Sequence, residues 1–154
     1  MKKVAVIIAD DAVIDPVIDV HRLSEIGATW GSWRQWHQCH PNNVICQDAE
    51  QARKMVAAGF TSVCNFFVPQ AIHTELAHTR AWAGSAVNTD QTVATCLAAT
   101  TAQVLVMLGF STVDPVICDV ISQGGQQWVF IGGEHDELKK FSNVHYDTLE
   151  NVLD

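Results

Sequence analysis

Two adjacent carboxylates follow the first apolar run of the chain and are the first candidates for chemistry. Asp10 and Asp11 come directly after VAVIIA at residues 4–9. Paired carboxylates can hold a hard divalent cation such as Mg²⁺ or Mn²⁺, or act as acid and base. We therefore predict Asp10 and Asp11 as catalytic residues, with Asp10 as a metal ligand. The alternative is a solvated turn whose aspartates cap a helix, and the sequence leaves both open.

Small and hydroxyl-bearing residues follow two later apolar runs and predict a ligand-binding edge. Ser111 and Thr112 precede a helix that opens at Asp114-Pro115, and such helix starts can bind phosphate or carboxylate groups. Gly132 and Gly133 would let a ligand approach the backbone closely. His135, the third candidate catalytic residue, can act as acid or base near neutral pH. The alternative at each place is an ordinary loop.

The segment Thr29–His40 is rich in tryptophan and cannot be assigned to a helix or strand from its pattern. Its three tryptophans are three residues apart, which puts them near one face if the segment is helical. Trp33 and Arg34 could sandwich a base or sugar and are predicted as ligand-binding residues. The alternative is packing in a core or an oligomer interface, where tryptophan and arginine are enriched.

Several familiar motifs are missing. The histidines and cysteines between residues 37 and 46 match no zinc spacing, and His73 and His78 are five apart rather than four. Neither a Walker A sequence nor GxGxxG is present, which disfavours the standard P-loop and dinucleotide-binding classes. A GxSxG elbow is also absent, which disfavours the hydrolases that use it.

These candidates require a parallel sheet that brings strand ends together. The run VLVMLGF at residues 104–110 is apolar throughout, which is typical of a strand buried on both faces. Further strands are predicted from their patterns at Val4–Ala9, Asn43–Gln47, Ser62–Val68, 128–132 and Asn143–Tyr146.

Helices are predicted between the strands. They cover residues 16–27, 48–58 and 70–83, an alanine-rich stretch that begins at Thr89 or Asp90, a stretch opening at Asp114-Pro115, and TLENVL at the end. This alternation predicts a single α/β domain over residues 1–154, a three-layer Rossmann-like sandwich with a mainly parallel sheet of five or six strands. The order of the first five is 3-2-1-4-5 if the chain reverses after the third strand.

Composition limits the classes of partner. The net charge of −8 disfavours broad binding to nucleic acid or an anionic membrane, and no run approaches the length of a membrane span. Only 17% of residues are charged, against a usual ~25%, which indicates a homo-oligomer. Five scattered cysteines indicate a reduced, cytoplasmic protein.

Two resemblances add to this interpretation. The segments ATWGSWRQW, NNVICQD and QWVFIGG resemble uncharacterised α/β proteins of phage and marine environmental origin, which imply no activity. VNTDQTVATCLAA and the chain from VLVMLGF to HDELKKF resemble the carboxyl half of PIN/NYN-type nuclease domains. That second resemblance implies metal-binding carboxylates at Asp10 or Asp11, Asp90 and Asp114. The family's acidic pair after the glycine is replaced here by Phe110 and Val113.

Three functions remain open. The first is binding, with or without turnover, of a small phosphate-bearing ligand such as a nucleotide or nucleotide-sugar at the carboxyl edge of the sheet. The second is a metal-dependent nuclease using Asp10, Asp90 and Asp114. The third is a non-catalytic oligomeric interaction protein that uses the tryptophan segment.

Overall fold

The computed structural model describes residues 3–9, 19–36, 40–76, 78–82, 89–109, 115–132 and 134–154. Within these ranges the chain forms one eight-stranded sheet in the order β5-β4-β3-β2-β1-β6-β7-β8, with every neighbouring pair parallel. The strands are β1 (Val4–Ile8), β2 (Ala28–Ser32), β3 (Asn43–Ile45), β4 (Asn65–Pro69), β5 (Arg80–Trp82), β6 (Val104–Leu108), β7 (Gln127–Ile131) and β8 (Val144–Asp147).

In the described ranges, α-helices or 3-10 turns connect successive strands, and the α-helices cover both faces of the sheet. They are α1 (Asp19–Ile26), α2 (Ala49–Ala57), α3 (Gln70–His73), α4 (Thr89–Ala99), α5 (Pro115–Gln123) and α6 (Leu149–Leu153). Single 3-10 turns lie at Trp33–Gln35, Phe60–Ser62 and Asp136–Leu138. The predicted α/β three-layer fold is therefore confirmed.

The central strand shows why an unbroken apolar run marks such a sheet. In β1, Ala5 and Ile7 join a core cluster with residues of α4 and α5, whereas Val6 and Ile8 pack against Leu23 of α1 on the opposite face. All four are at most 1% exposed, so burial on both faces leaves no position for a polar residue. A third cluster fills the space between α2 and strands β3 and β4.

The sheet has eight strands rather than the five or six expected. The additional strand β2 overlaps the start of the unassigned segment Thr29–His40, and β5 lies where residues 70–83 were expected to be helical. Among the described residues of that stretch, only Gln70–His73 forms a helix. The chain consequently reverses after the fifth strand, not the third, and continues with β6 on the other side of β1.

Candidate ligand site at the carboxyl edge of the sheet

The chain changes its winding direction beside the end of β1. This strand pairs with β2 on one side and with β6 on the other, and the helices that follow β1 and β6, α1 and α5, pack on opposite faces of the sheet. The Ala9 amide donates to the Leu108 carbonyl at 3.0 Å, which holds the two strand ends in register. Open parallel sheets bind their ligands at such a switch point, outside the carboxyl ends of the strands.

Two glycines end the neighbouring strands β6 and β7 side by side. Gly109 has φ +70° and Gly132 has φ +118°, backbone conformations that side chains with a Cβ rarely adopt. The Gly109 amide donates to the Ile131 carbonyl at 3.3 Å. A Cβ placed on Gly132 would lie 4.0 Å from the Gly109 nitrogen, so a methyl group there would cover the backbone surface between the two strand ends.

His135 is held near the end of β7 by groups from two strands. Its half-buried ring lies edge-on to Phe130 of β7, with ring centroids 6.1 Å apart. The Tyr146 hydroxyl of β8 donates to the His135 carbonyl at 3.1 Å. Sequence reasoning found His135 but missed Tyr146. The register that pairs Phe130 with Tyr146 brings them together, and it could not be derived before β8 was known to be parallel to β7.

The tryptophan segment divides between the two faces of the sheet. Trp30 lies in β2 and is buried against Phe67. Trp33 and Trp36 follow the strand and are partly buried against the cluster under α2, so the three rings do not share one face. The strand in front of the 3-10 turn is the reason, because it breaks the helical spacing.

Trp33 and Arg34 lie at the same edge of the sheet as the glycines but at a distance from them. The guanidinium carbon of Arg34 lies 5.5 Å from the centroid of the Trp33 ring. Strands β2 and β7 are three positions apart, which corresponds to about 14 Å between their ends. Trp36 packs against Phe60 at 4.9 Å and stacks on His40 at 4.5 Å. These contacts agree with the packing interpretation, and ligand stacking on Trp33 stays a prediction.

Gln47 is a further polar residue at this edge that the sequence did not single out. It follows β3, and its Oε1 atom is buried without a hydrogen-bond partner in the described part of the chain. A buried acceptor normally has a partner, so this oxygen can receive a hydrogen bond from a ligand or water. The sequence gives no signal for it, because the burial depends on neighbouring elements.

Three cysteine side chains are poor nucleophiles. Burial raises the pKa of Cys46 to about 11, of Cys64 to about 11 and of Cys96 to about 12, each from a usual value of 9.0. The thiolate is the reactive form of cysteine, and it is scarce in these three side chains at neutral pH. Nucleophilic catalysis by these cysteines is therefore disfavoured.

Most of the other predicted site residues lie outside the described ranges. They are Asp10, Asp11, Ser111, Thr112, Asp114 and Gly133. Asp90 belongs to the first turn of α4, but the structure does not describe its side chain. Among the side chains that are described, no three His, Cys, Asp or Glu residues come together as metal ligands.

An open groove of about 430 Å³ lies at the opposite, amino edge of the sheet. Residues of the α5 end, the β7 start and the turn before β8 line it, including Ile121, Lys140, Phe141 and Asn143. Its lining contains no carboxylate, histidine or cysteine, and its groups capable of chemistry are Lys140, Ser122 and Ser142. We keep the candidate site at the carboxyl edge, where the two glycines and His135 lie.

No protein-family model, curated protein or solved structure matches this chain. Within the described ranges, none of the helices is both long and apolar enough to cross a membrane.

Proposed function

We propose that the protein binds a small phosphate-bearing ligand, such as a nucleotide or nucleotide-sugar, in the crevice where β1, β6 and β7 end. One observation carries this proposal: Gly109 and Gly132 end adjacent strands with positive φ directly beside the switch point. Glycine backbone can approach phosphate oxygens closely because no side chain intervenes.

The remaining roles follow the chemistry of each residue. Ser111, Thr112 and Gly133 would contribute hydroxyl and amide donors to the phosphate groups. Asp10 or Asp11 would hold Mg²⁺, Mn²⁺ or a ribose hydroxyl, and His135 would serve as acid or base if turnover occurs. Trp33 and Arg34 would contact a base or sugar at the far end of the crevice.

The charge of the chain makes a metal ion useful here. A protein with a net charge of −8 repels an anionic ligand, and its positive groups are only nine lysines and arginines. Backbone amides and a divalent cation would offset that repulsion locally. Binding should therefore be stronger when Mg²⁺ or Mn²⁺ is present.

Thermal unfolding of the purified protein against ATP, UDP-glucose, Mg²⁺ and Mn²⁺, singly and combined, tests the proposal. A ligand at ~100 times its dissociation constant adds about 2.7 kcal/mol to the free energy of unfolding, which raises Tm by roughly 5–10 °C. A rise with a nucleotide or nucleotide-sugar supports the proposed ligand class, and Asp10→Asn/Asp11→Asn should reduce it.

The other outcomes favour the other functions. A rise with Mn²⁺ alone, together with cleavage of single-stranded nucleic acid that Asp10→Asn, Asp90→Asn or Asp114→Asn abolishes, would replace this proposal with the nuclease. No rise with any of them would favour the interaction protein. Trp33→Ala/Trp36→Ala should then disrupt assembly.

A further inference from the structure

The outer side of β8 carries backbone groups that β7 does not use. The Trp128 amide donates to the Asn143 carbonyl at 2.8 Å. In a parallel pair every second residue of a strand bonds to the same neighbour, so His145 and Asp147 also direct their backbone groups to β7. The amides and carbonyls of Val144 and Tyr146 therefore point away from the sheet. No strand of the described chain pairs with that side.

Packing on one face holds this edge in place. The side chains of Val144 and Tyr146 pack on the core cluster beneath α4 and α5. Helix α6 follows β8 directly and packs beside α1 on the opposite face, so it leads away from the outer edge. The β8 backbone is thus presented in extended form, which lowers the entropy that pairing with another strand would cost.

The two edges of the sheet differ in how they resist pairing. Strand β5 at the far edge has three residues and begins with Arg80, and short, charged edge strands oppose pairing. Strand β8 has four residues, VHYD, with no proline, lysine or arginine, although the exposed Asp147 ends it. Its outer edge is therefore less protected against pairing than that of β5.

We propose that β8 pairs with β8 of a second copy of this chain, antiparallel and around a two-fold axis at Tyr146. In this register the outward-facing amide and carbonyl of Tyr146 bond to those of the other Tyr146. Val144 lies opposite Thr148, whose own amide donates to the Asp147 side chain. The register also sets His145 opposite Asp147 of the other chain, twice by symmetry. The two eight-stranded sheets become one continuous sheet.

Charge and exposure favour a second copy over an unrelated peptide. His145 and Asp147 are both exposed on the same face of β8, and an imidazole and a carboxylate can pair. Within the chain, His145 Nε2 lies 2.9 Å from Gln127 Oε1, and Asp147 Oδ1 accepts from the Thr148 amide. A strand that complements itself in this way needs no other partner. The chain's low charged fraction of 17% is in line with surface hidden in a dimer.

Disulfide cross-linking tests which residues of the two β8 strands lie opposite each other. Opposed residues in a non-hydrogen-bonded antiparallel pair lie ~4.5 Å apart at Cα, within disulfide range, whereas diagonal neighbours at ~7–8 Å are not. Under mild oxidation, a mixture of His145→Cys and Asp147→Cys should form a covalent dimer. Each variant alone, and the wild type with its native cysteines, should not. Cross-linking of His145→Cys alone would overturn this register and the charge argument with it.

Sedimentation equilibrium with a matched pair of substitutions gives a test that does not depend on oxidation. His145→Lys keeps the opposite charge to Asp147, whereas His145→Glu sets like charges against each other at two symmetric places. We expect self-association about ten-fold weaker for His145→Glu than for His145→Lys. A wild type that stays monomeric as concentration rises, or equal association of the two variants, would overturn the proposal. Neither outcome bears on ligand binding at the carboxyl edge.

Discussion

At the scale of single residues, a chain of amide hydrogen bonds joins the amino ends of β2, β3 and β4. Buried Asn43 donates to the Thr29 carbonyl at 3.2 Å and accepts from Asn65 at 3.0 Å. Asn42 accepts from the Thr29 hydroxyl at 3.0 Å. These bonds fix the order of three neighbouring strands, and therefore the position of their opposite ends at the candidate site.

Asn43→Ala should lower the free energy of unfolding by about 1–3 kcal/mol, because it leaves buried partners unsatisfied. The exposed Asn65 provides the comparison. Asn65→Ala removes only the bond to the Asn43 Oδ1 atom, whereas Asn43→Ala also removes the bond to the Thr29 carbonyl, so Asn65→Ala should cost less. Urea unfolding of both variants measures the difference. Equal losses of unfolding free energy in the two variants would contradict the larger contribution expected from the buried Asn43 amide.

The buried thiols predict a pH dependence of stability. The pKa of Cys96 is raised to about 12 in the folded chain, against 9.0 in an exposed thiol. The unfolded chain therefore loses this proton first as the pH rises. The contribution to stability is fully present below 9.0 and is lost between 9.0 and about 12.

Cys96→Ala should weaken that alkaline loss, measured by urea unfolding at a series of pH values. At neutral pH, alkylation mapped by mass spectrometry should modify the fully buried Cys46 and Cys96 only after denaturant is added. Rapid labelling of Cys96 in the native protein would contradict its burial.

At the scale of elements, the end of α1 lies directly against the start of β1. A Cβ on Gly27 would lie 2.0 Å from the Val4 carbonyl oxygen, a backbone atom that cannot move aside cheaply. Gly27→Ala should therefore cost more than about 2 kcal/mol by overpacking. Gly125 has nothing within 4 Å of such a Cβ, so Gly125→Ala should change stability by less than about 0.5 kcal/mol. Thermal unfolding compares the two, and similar Tm values would contradict this packing.

The elements that the sequence predicted are those whose own residues determine them. Strands β1 and β6 were found because nearly every residue is apolar, and α2 because Asp48 caps it through the Gln51 amide. Strand β2, ATWGS, carries a glycine and a serine, and β5 has only three residues. Their extended conformation comes from pairing with β1, β3 and β4, which no local pattern reveals.

At the scale of the whole molecule, the sequence predicted a candidate site at the carboxyl edge of the sheet, but not which residues contact one another there. Glycines after β6 and β7 were visible in the sequence, yet their contact depends on those strands being neighbours. The two strands that were not predicted, β2 and β5, delay the change of winding direction until after the fifth strand. The change still lies beside β1. The switch point beside β1 was therefore predictable from strand patterns, whereas the hydrogen bond from the Tyr146 hydroxyl to the His135 carbonyl was not.

The central claim is that a phosphate-bearing ligand lies against Gly132. The most direct test is the Tm shift caused by ATP or UDP-glucose, with Mg²⁺, in the wild type, Gly132→Ala and Gly59→Ala. Gly59 also has positive φ, +93°, but it lies at the end of α2 with nothing within 4 Å of an added Cβ. Both variants should therefore lose similar stability without ligand, roughly 1–2 kcal/mol.

We expect the ligand to raise the Tm of the wild type and of Gly59→Ala equally, and that of Gly132→Ala much less. Equal shifts in all three proteins would place the ligand elsewhere, and the absence of any shift in the wild type would contradict the proposed ligand class.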